Sequence, residues 1–353
     1  MIFNKKFTIH KKTISENSAT FIIAEAGVNH SGDMVVAKKL VDLAVKAQAD
    51  AVKFQAFKTE NVILKNIQKA RYQKNTTDPI ETQFEMLKRL ELTKEQNIEL
   101  NKYCSDKNII FLTTPCDEES LDDLDTLDMP AYKVASADLT NLPLLIKIAK
   151  KGKLIFLSTG MSYLSEVRLA LETIFEYNKD VVLMQCTANY PIEDEEANLA
   201  VINTYKDNFN ILLGYSDHSV GTGAAPFAIP MGAKVIEKHF TTNQNDEGPD
   251  NAASLSPEEL IKFVKIVRRV DKYMGNSIKK PTSSELDNRK SLQKCLVAKS
   301  DINKGSLFTE ENITAKRTGG VGISPIHLDK LIHKLAKESY LKNEIIKEYL
   351  ELK

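Results

Sequence analysis

Two histidines sit about twenty residues apart, His218 in Gly214-Tyr215-Ser216-Asp217-His218-Ser219 and His239 in Val235-Ile236-Glu237-Lys238-His239-Phe240, each closing a short apolar run of strand character. On neighbouring strands of a barrel the two imidazoles meet at the mouth, where neutral ring nitrogens can share a divalent metal ion. The chain has six histidines in all, so two at successive strand ends weigh more than either alone. Taken singly, each reads as a satisfied structural residue.

Other apolar runs end in similar chemistry. Glu25, Asn29 and His30 follow one; Lys53 and Gln55, Thr113 and Thr114, Lys133 with Ser136 and Asp138, Ser158 and Thr159, and Thr187 with Tyr190 follow others. Lys53 and Lys133, with Ser136, Ser158 and Ser216, can surround a small dianion because ammonium and hydroxyl groups all turn donors toward it; phosphate is the natural choice. Glu25, directly after an apolar run, is a buried carboxylate that needs a partner or a raised pKa. One lysine after one strand is an ordinary solvated cap, and Gly27 and Gly32 alone are turn punctuation. Eight strand ends of the same character are poorly explained as surface decoration.

The elements that carry these residues alternate along the chain. Strand-like runs are Phe21 to Ala24, Ala51 to Phe54, Ile109 to Leu112, Ala131 to Val134, Leu154 to Leu157, Val181 to Cys186, Ile211 to Tyr215 and Val235 to His239. Between them lie segments with helical spacing, such as Ala37, Leu40, Val41, Ala44 and Val45, then Leu100, Tyr103 and Cys104, then Val167, Ala170, Leu171 and Ile174. Strands apolar on both faces, alternating with helices, predict an α/β fold, a parallel sheet closed into a (β/α)8 TIM barrel. An open doubly wound sheet is the alternative, and no GxGxxG follows the first run to support it. Pro257 to Met274 reads as a closing helix, residues 275–290 as a polar linker broken by Pro281, and residues 291–353 as a second small domain of short strands and turns. The barrel domain is then 1–274.

Length and charge bound the partners. A chain of 353 residues exceeds the roughly 250 of a plain barrel by one small domain. With 48 basic and 48 acidic residues the net charge is zero, which gives no bulk attraction to nucleic acid or an anionic membrane. Any anionic substrate is met by local lysines and arginines. Four scattered cysteines without CxxC spacing suit reduced thiols, the N-terminal residues lack a signal-peptide core, and no run approaches the ~18 apolar residues of a membrane span. A soluble cytoplasmic protein is expected.

The motifs, in chain order, carry a resemblance. Phe21-Ile22-Ile23-Ala24-Glu25-Ala26-Gly27-Val28-Asn29-His30, Val52-Lys53-Phe54-Gln55, Tyr132-Lys133-Val134-Ala135-Ser136, Leu157-Ser158-Thr159-Gly160-Met161, Tyr215-Ser216-Asp217-His218, Ile236-Glu237-Lys238-His239-Phe240-Thr241, Gly248-Pro249-Asp250 and Lys316-Arg317-Thr318-Gly319 resemble the successive signatures of the sialic acid (nonulosonate) synthase family. The match runs from about Thr20 to the end of the chain. The resemblance implies a barrel followed by an antifreeze-like (SAF) domain, in a homodimer whose small domain covers the partner's barrel.

It also implies condensation of phosphoenolpyruvate with an N-acetylated mannosamine-type sugar and release of phosphate. His218 and His239 match the metal ligands, for Mn²⁺ or another divalent cation such as Mg²⁺ or Co²⁺. Lys53, Lys133, Ser136, Ser158 and Ser216 match the phosphoenolpyruvate site. Gln55, Tyr190 and Asp250 match the sugar side, together with Arg317 delivered from the partner's small domain, and Glu25 matches a general acid or base. N-Acetylmannosamine is the first expected sugar and a 2,4-diacetamido-2,4,6-trideoxymannose, giving N,N'-diacetyllegionaminate, the second. Three positions depart from the family pattern: Asp138 replaces a common glutamate, Ala188 an asparagine found in some members, and Asn251 a common histidine. Two rival classes stand beside this reading: a Schiff-base aldolase using Lys133, and a non-catalytic sugar-binding protein.

Overall fold

A computed structural model of the chain describes residues 1–78 and 80–349, and its contacts divide it into two compact units, Met1–Gly275 and Asn276–Lys353. The first unit opens with an antiparallel hairpin, β1 (Lys6–Ile9) and β2 (Lys12–Ser15). Eight parallel strands follow: β3 (Phe21–Gly27), β4 (Ala51–Ala56), β5 (Ile110–Pro115), β6 (Ala131–Val134), β7 (Leu154–Ser158), β8 (Val181–Cys186), β9 (Leu212–Asp217) and β10 (Ala233–His239). Their order is β5-β4-β3-β10-β9-β8-β7-β6, and the two end strands, β5 and β6, lie side by side, so the sheet curls into a nearly closed barrel ringed by helices. The expected fold is the observed one, with strand ends displaced by a few residues from the sequence reading.

Period two along each strand sorts its side chains between two cores. Ile22, Ala24, Val52, Phe54, Ile155, Leu157 and Ile236 face the helices, where they pack with apolar faces such as Ala37, Leu40, Val41 and Ala44 of the helix Met34–Ala47. The alternate set, Phe21, Ile23, Ala51, Ile110, Leu112, Ala131, Leu154, Phe156, Val182, Met184, Leu212 and Val235, fills the barrel itself. Phe7, Ile9 and Ile14 join that interior cluster, so the β1–β2 hairpin plugs the barrel floor. The hairpin went unnoticed in the sequence because each strand has only four residues, too short for periodicity to stand out. The helix Pro257–Met274, started by the Ser256 and Glu259 capping pair, closes the unit.

The second unit holds an antiparallel pair, β11 (Lys294–Ala298) and β12 (Ile313–Arg317), around a separate cluster that includes Leu296, Phe308, Ile323, Tyr340 and Ile346. The stretch expected to be an unstructured linker is partly helical, over Ser283–Leu292, with no buried residue. Thr282 starts that helix: its backbone N–H and hydroxyl both donate to the Glu285 carboxylate, 2.7 and 3.0 Å, a capping-box signal outweighed in the sequence reading by Pro281 and the serines. Positions 350–353 of the expected small domain lie outside the described residues.

Candidate active site

Each interior strand file that is apolar at the barrel floor turns polar at its C-terminal end. Phe21 and Ile23 lead to Glu25, Ala51 to Lys53 and Gln55, Ala131 to Lys133, Leu154 and Phe156 to Ser158, Leu212 to Ser216, and Val235 to Glu237 and His239. These termini line one cleft of about 520 Å³, which also collects Ser136, Tyr190 and His218 from the adjoining loops. The barrel therefore brings ten of the expected residues into one wall: Glu25, Lys53, Gln55, Lys133, Ser136, Ser158, Tyr190, Ser216, His218 and His239.

The cleft floor is a charge-balanced buried network. Lys53 Nζ lies 2.8 Å from Glu25 Oε2 and 3.7 Å from Glu237 Oε2, and Lys133 Nζ lies 3.7 Å from Glu237 Oε1. Lys53 also donates to Thr114 Oγ1 at 3.0 Å, Lys133 to the Val134 carbonyl at 3.0 Å, and Ser216 to Glu237 at 2.9 Å. Desolvation would expel any of these charges unless opposite charges stood beside them. Burial and Glu237 push the Glu25 carboxyl up to about 7 against the pull of Lys53. Burial acts the same way on Glu237, but Lys133 and Lys53 outweigh it and hold that group ionised below its usual range. Burial lowers Lys133, whereas for Lys53 the carboxylates Glu237 and Glu25 overcome burial and raise it. The Ser158 hydroxyl is buried without a hydrogen-bond partner, and Ser136 accepts from the Gly160 N–H at 2.9 Å.

The two histidines meet as their spacing implied, with ring centroids 5.4 Å apart. His218 Nδ1 donates to the Thr187 carbonyl at 2.7 Å, which fixes the ring and leaves Nε2 as the free lone pair when the ring is neutral. Burial lowers His218, but Cys186, 3.8 Å from Nδ1, together with the Thr187 carbonyl and Glu237 turns the balance upward. Burial and the charge of His218 hold His239 neutral, well below the usual histidine range, and its Nδ1 is buried without a hydrogen-bond partner. A neutral imidazole with an orphaned nitrogen beside a second, oriented imidazole fits a divalent ion whose other positions are filled by water or ligand oxygens. Among the described residues no group of three or more His, Cys, Asp or Glu side chains forms a fuller cage.

Glu25 also borders the space beside Gly27, together with Gln55 and Asp250. The φ of Gly27 is +52°, and an added Cβ would stand 3.3 Å from Glu25 Oε1, 3.5 Å from Asp250 Oδ2 and 3.5 Å from Gln55 Nε2. Asp250 is thus brought to the site although it does not line the open cleft; burial pushes its carboxyl up to about 6, and Oδ2 lies 3.8 Å from His239 Nδ1. Tyr190 packs its ring over His218 at 4.1 Å and against His239 at 5.4 Å. Arg317 belongs to the second unit, exposed at the end of β12 opposite Lys294.

Several polar strand-end residues point away from the cleft. Asp217 and Lys238 pair with each other on the helix side of β9 and β10 at 3.0 Å, both buried. His30 packs against Phe54, accepts from the Gly32 N–H, and burial lowers it to about 4. Asn29 donates to the Phe240 carbonyl and to Ser254, and Thr159 to the Met184 carbonyl. Asp138 accepts from Asn141 at 3.0 Å ahead of the next helix, Asn251 accepts from Thr241 and ties residues 241–251 together, and Ala188 does line the cleft. The sequence assigned no role to Glu237, Thr114 or Cys186, all cleft-lining, although strand parity marks each as inward: Glu237 from His239 on β10, Thr114 from Leu112 on β5 and Cys186 from Met184 on β8. It also passed over Tyr72 and Gln73, carried on the short helix Arg71–Thr76 inside the loop after β4, where no periodic signal marked them.

A (β/α)8 barrel with ionisable groups gathered at the C-terminal ends of its strands is an enzyme of the barrel class, with its chemistry at that mouth. The chain belongs to the NeuB family, the sialic acid (nonulosonate) synthases, which residues 40–279 match; residues 293–348 match the SAF domain. It is 44% identical over 332 residues to the N,N'-diacetyllegionaminic acid synthase of Campylobacter jejuni, covering 93% of this chain and 99% of the relative. It is 40% identical over 317 residues to the enzyme of the same name from Legionella pneumophila, covering 88% and 89%. Among solved structures, the N-acetylneuraminic acid (sialic acid) synthetase of Leptospira borgpetersenii, in complex with citrate, aligns with a TM-score of 0.72 at 32% identity, over 82% of this chain and 98% of that one.

Proposed function

We propose that the chain is a metal-dependent nonulosonate synthase that condenses phosphoenolpyruvate with 2,4-diacetamido-2,4,6-trideoxymannose, releasing N,N'-diacetyllegionaminate and phosphate. The observation that carries the reaction class is the buried Glu25–Lys53–Glu237–Lys133 network beside the paired imidazoles. The higher identity to two legionaminic acid synthases than to the sialic acid synthetase supports this sugar ahead of N-acetylmannosamine.

In this reading Lys53, Lys133, Ser136, Ser158 and Ser216 hold the phosphate and carboxylate of phosphoenolpyruvate, the unpartnered Ser158 hydroxyl supplying one waiting donor. The ligand's negative charge enters a network already balanced between two lysines and two carboxylates. Glu25, titrating near 7, takes up a proton and restores that balance. Gln55, Tyr190 and Asp250 hold the open-chain sugar with its aldehyde toward His218 and His239. His218 and His239 would hold a divalent cation, Mn²⁺ being compatible with imidazole and oxygen ligands, and it would supply Lewis acidity for the aldehyde.

The C3 carbon of phosphoenolpyruvate attacks the aldehyde carbon, forming the C–C bond, and protonated Glu25 delivers its proton to the new alkoxide. Positive charge left at C2 is met by water, whose proton returns to the Glu25 carboxylate. The tetrahedral centre then collapses: its hydroxyl becomes the C2 ketone carbonyl as the C–O bond to phosphate breaks, and the departing phosphate takes the hydroxyl proton. Arg317 reaches the sugar from a partner copy's small domain, so the working unit is a homodimer. The absence among the described residues of a helix long and apolar enough to cross a membrane, and four unpaired cysteines, suit a cytoplasmic setting.

The test is phosphate release from phosphoenolpyruvate with each sugar and a divalent cation. Release dependent on both substrates, faster with the diacetamido sugar, is expected. Borohydride trapping of a pyruvate adduct on Lys133, with activity retained in EDTA, would instead establish the Schiff-base aldolase.

A further inference from the structure

The helix Arg71–Thr76 stands in the loop after β4 and presents Tyr72 and Gln73 to the cleft. It is held rigidly. The Lys69 ammonium is buried and donates to Thr77 Oγ1 at 2.7 Å, to the Asp78 carbonyl, and to Glu81 at 3.0 Å. Gln73 Oε1 accepts from the Ala70 N–H at 3.0 Å and from Gln83 at 3.3 Å. The Thr76 carbonyl accepts from the Gly248 N–H at 3.2 Å, which ties the helix to the loop that carries Asp250.

Tyr72 extends an aromatic wall away from the two histidines. Its ring centroid lies 5.2 Å from that of Tyr190, which in turn lies 4.1 Å from His218. The Tyr72 hydroxyl accepts only a long contact, 3.4 Å, from Gln73 Nε2, so its own proton remains to be donated into the cleft. Burial, then Asp250, pushes the phenol up, which keeps it a neutral donor at ordinary pH.

We propose that Tyr72 is a specificity-determining residue, selecting a sugar that bears an acetamido group at C4 and a methyl at C6 over one with hydroxyls there. This rests on the condensation proposed above. With the aldehyde at His218 and His239, the far end of the sugar runs along the Tyr190–Tyr72 wall. An acetamido group satisfies both halves of it: the carbonyl accepts from the Tyr72 hydroxyl and the methyl lies on the ring faces. A hydroxyl at the same place loses water against an aromatic face and gains less in return.

The experiment compares kcat/KM for the diacetamido sugar and for N-acetylmannosamine in the wild type, Tyr72→Phe and Tyr72→Ala. In Tyr72→Ala the preference for the diacetamido sugar falls about tenfold or more, the range one apolar contact supplies, through KM for that sugar and with KM for phosphoenolpyruvate unchanged. Tyr72→Phe keeps the ring and retains part of the preference. An equal loss for both sugars, or an unchanged ratio, overturns the assignment. A wild type that condenses both sugars but favours N-acetylmannosamine overturns it while leaving the condensation standing. A wild type that condenses neither sinks the reaction itself and this inference with it.

Discussion

At the residue scale the site depends on a glycine and a carboxylate. Gly27 combines a left-handed φ of +52° with the convergence of Glu25, Asp250 and Gln55 on the space a Cβ would fill. Gly27→Ala should therefore cost about 1–2 kcal/mol of stability for the backbone alone. The added methyl is tight against Glu25 Oε1 alone, at 3.3 Å, and displacing that carboxylate should also lower kcat/KM, by up to about 10²-fold; denaturant titration and steady-state kinetics read the two effects. Glu25 makes a pH prediction. Its pKa, raised from 4.5 to about 7, means that the site holds the proton below that pH, and an arriving anion favours the protonated form further. Phosphoenolpyruvate binding should thus be accompanied by proton uptake at pH 7.5 and weaken as pH rises through about 7. Calorimetry in buffers of different ionisation enthalpy measures the uptake; Glu25→Gln should abolish it, and undiminished uptake in that variant would remove Glu25 from the role.

At the scale of elements, strand parity decides which polar side chains reach the cleft. Ser216 and Glu237 point in and are bonded to each other, while their sequence neighbours Asp217 and Lys238 point out and pair behind the sheet. The outward pair holds the ends of β9 and β10 together one residue before each histidine. Lys238→Met removes the cation beside the buried Asp217 carboxylate, leaving it only the donors of Ser219 and Ala225, and should cost about 3 kcal/mol in denaturant unfolding, with weaker metal binding by calorimetry. If metal affinity were untouched, the pair would have no part in setting the imidazole spacing. The sequence showed the eight strands and most inward residues because runs apolar on both faces end in polar ones. It did not show Tyr72, which sits on a six-residue helix within an irregular loop, nor the short plugging hairpin, since neither is long enough to leave a period. Glu237 carried no role in the sequence because its part is visible only once Lys53 and Lys133 are seen on either side of it.

For the whole molecule, the barrel floor and mouth separate stability from function. Phe7 belongs to the interior cluster at the floor, far along the strands from the cleft, so Phe7→Ala should lower stability by about 3–5 kcal/mol. The kcat of the folded enzyme should stay unchanged below its melting temperature. The homodimer makes a separate demand: mixing inactive Arg317→Ala with inactive His218→Ala protein should restore activity once subunits exchange, because one mixed site then carries neither lesion. No recovery after verified exchange would place Arg317 outside its partner's site.

The central claim is most directly tested by supplying phosphoenolpyruvate labelled with ¹⁸O in its bridging C–O–P position, together with the diacetamido sugar and Mn²⁺. Phosphate formed one for one with the nonulosonate and carrying the label is the predicted result. Label left in the sugar product, or phosphate released at the same rate without any sugar, would contradict the account.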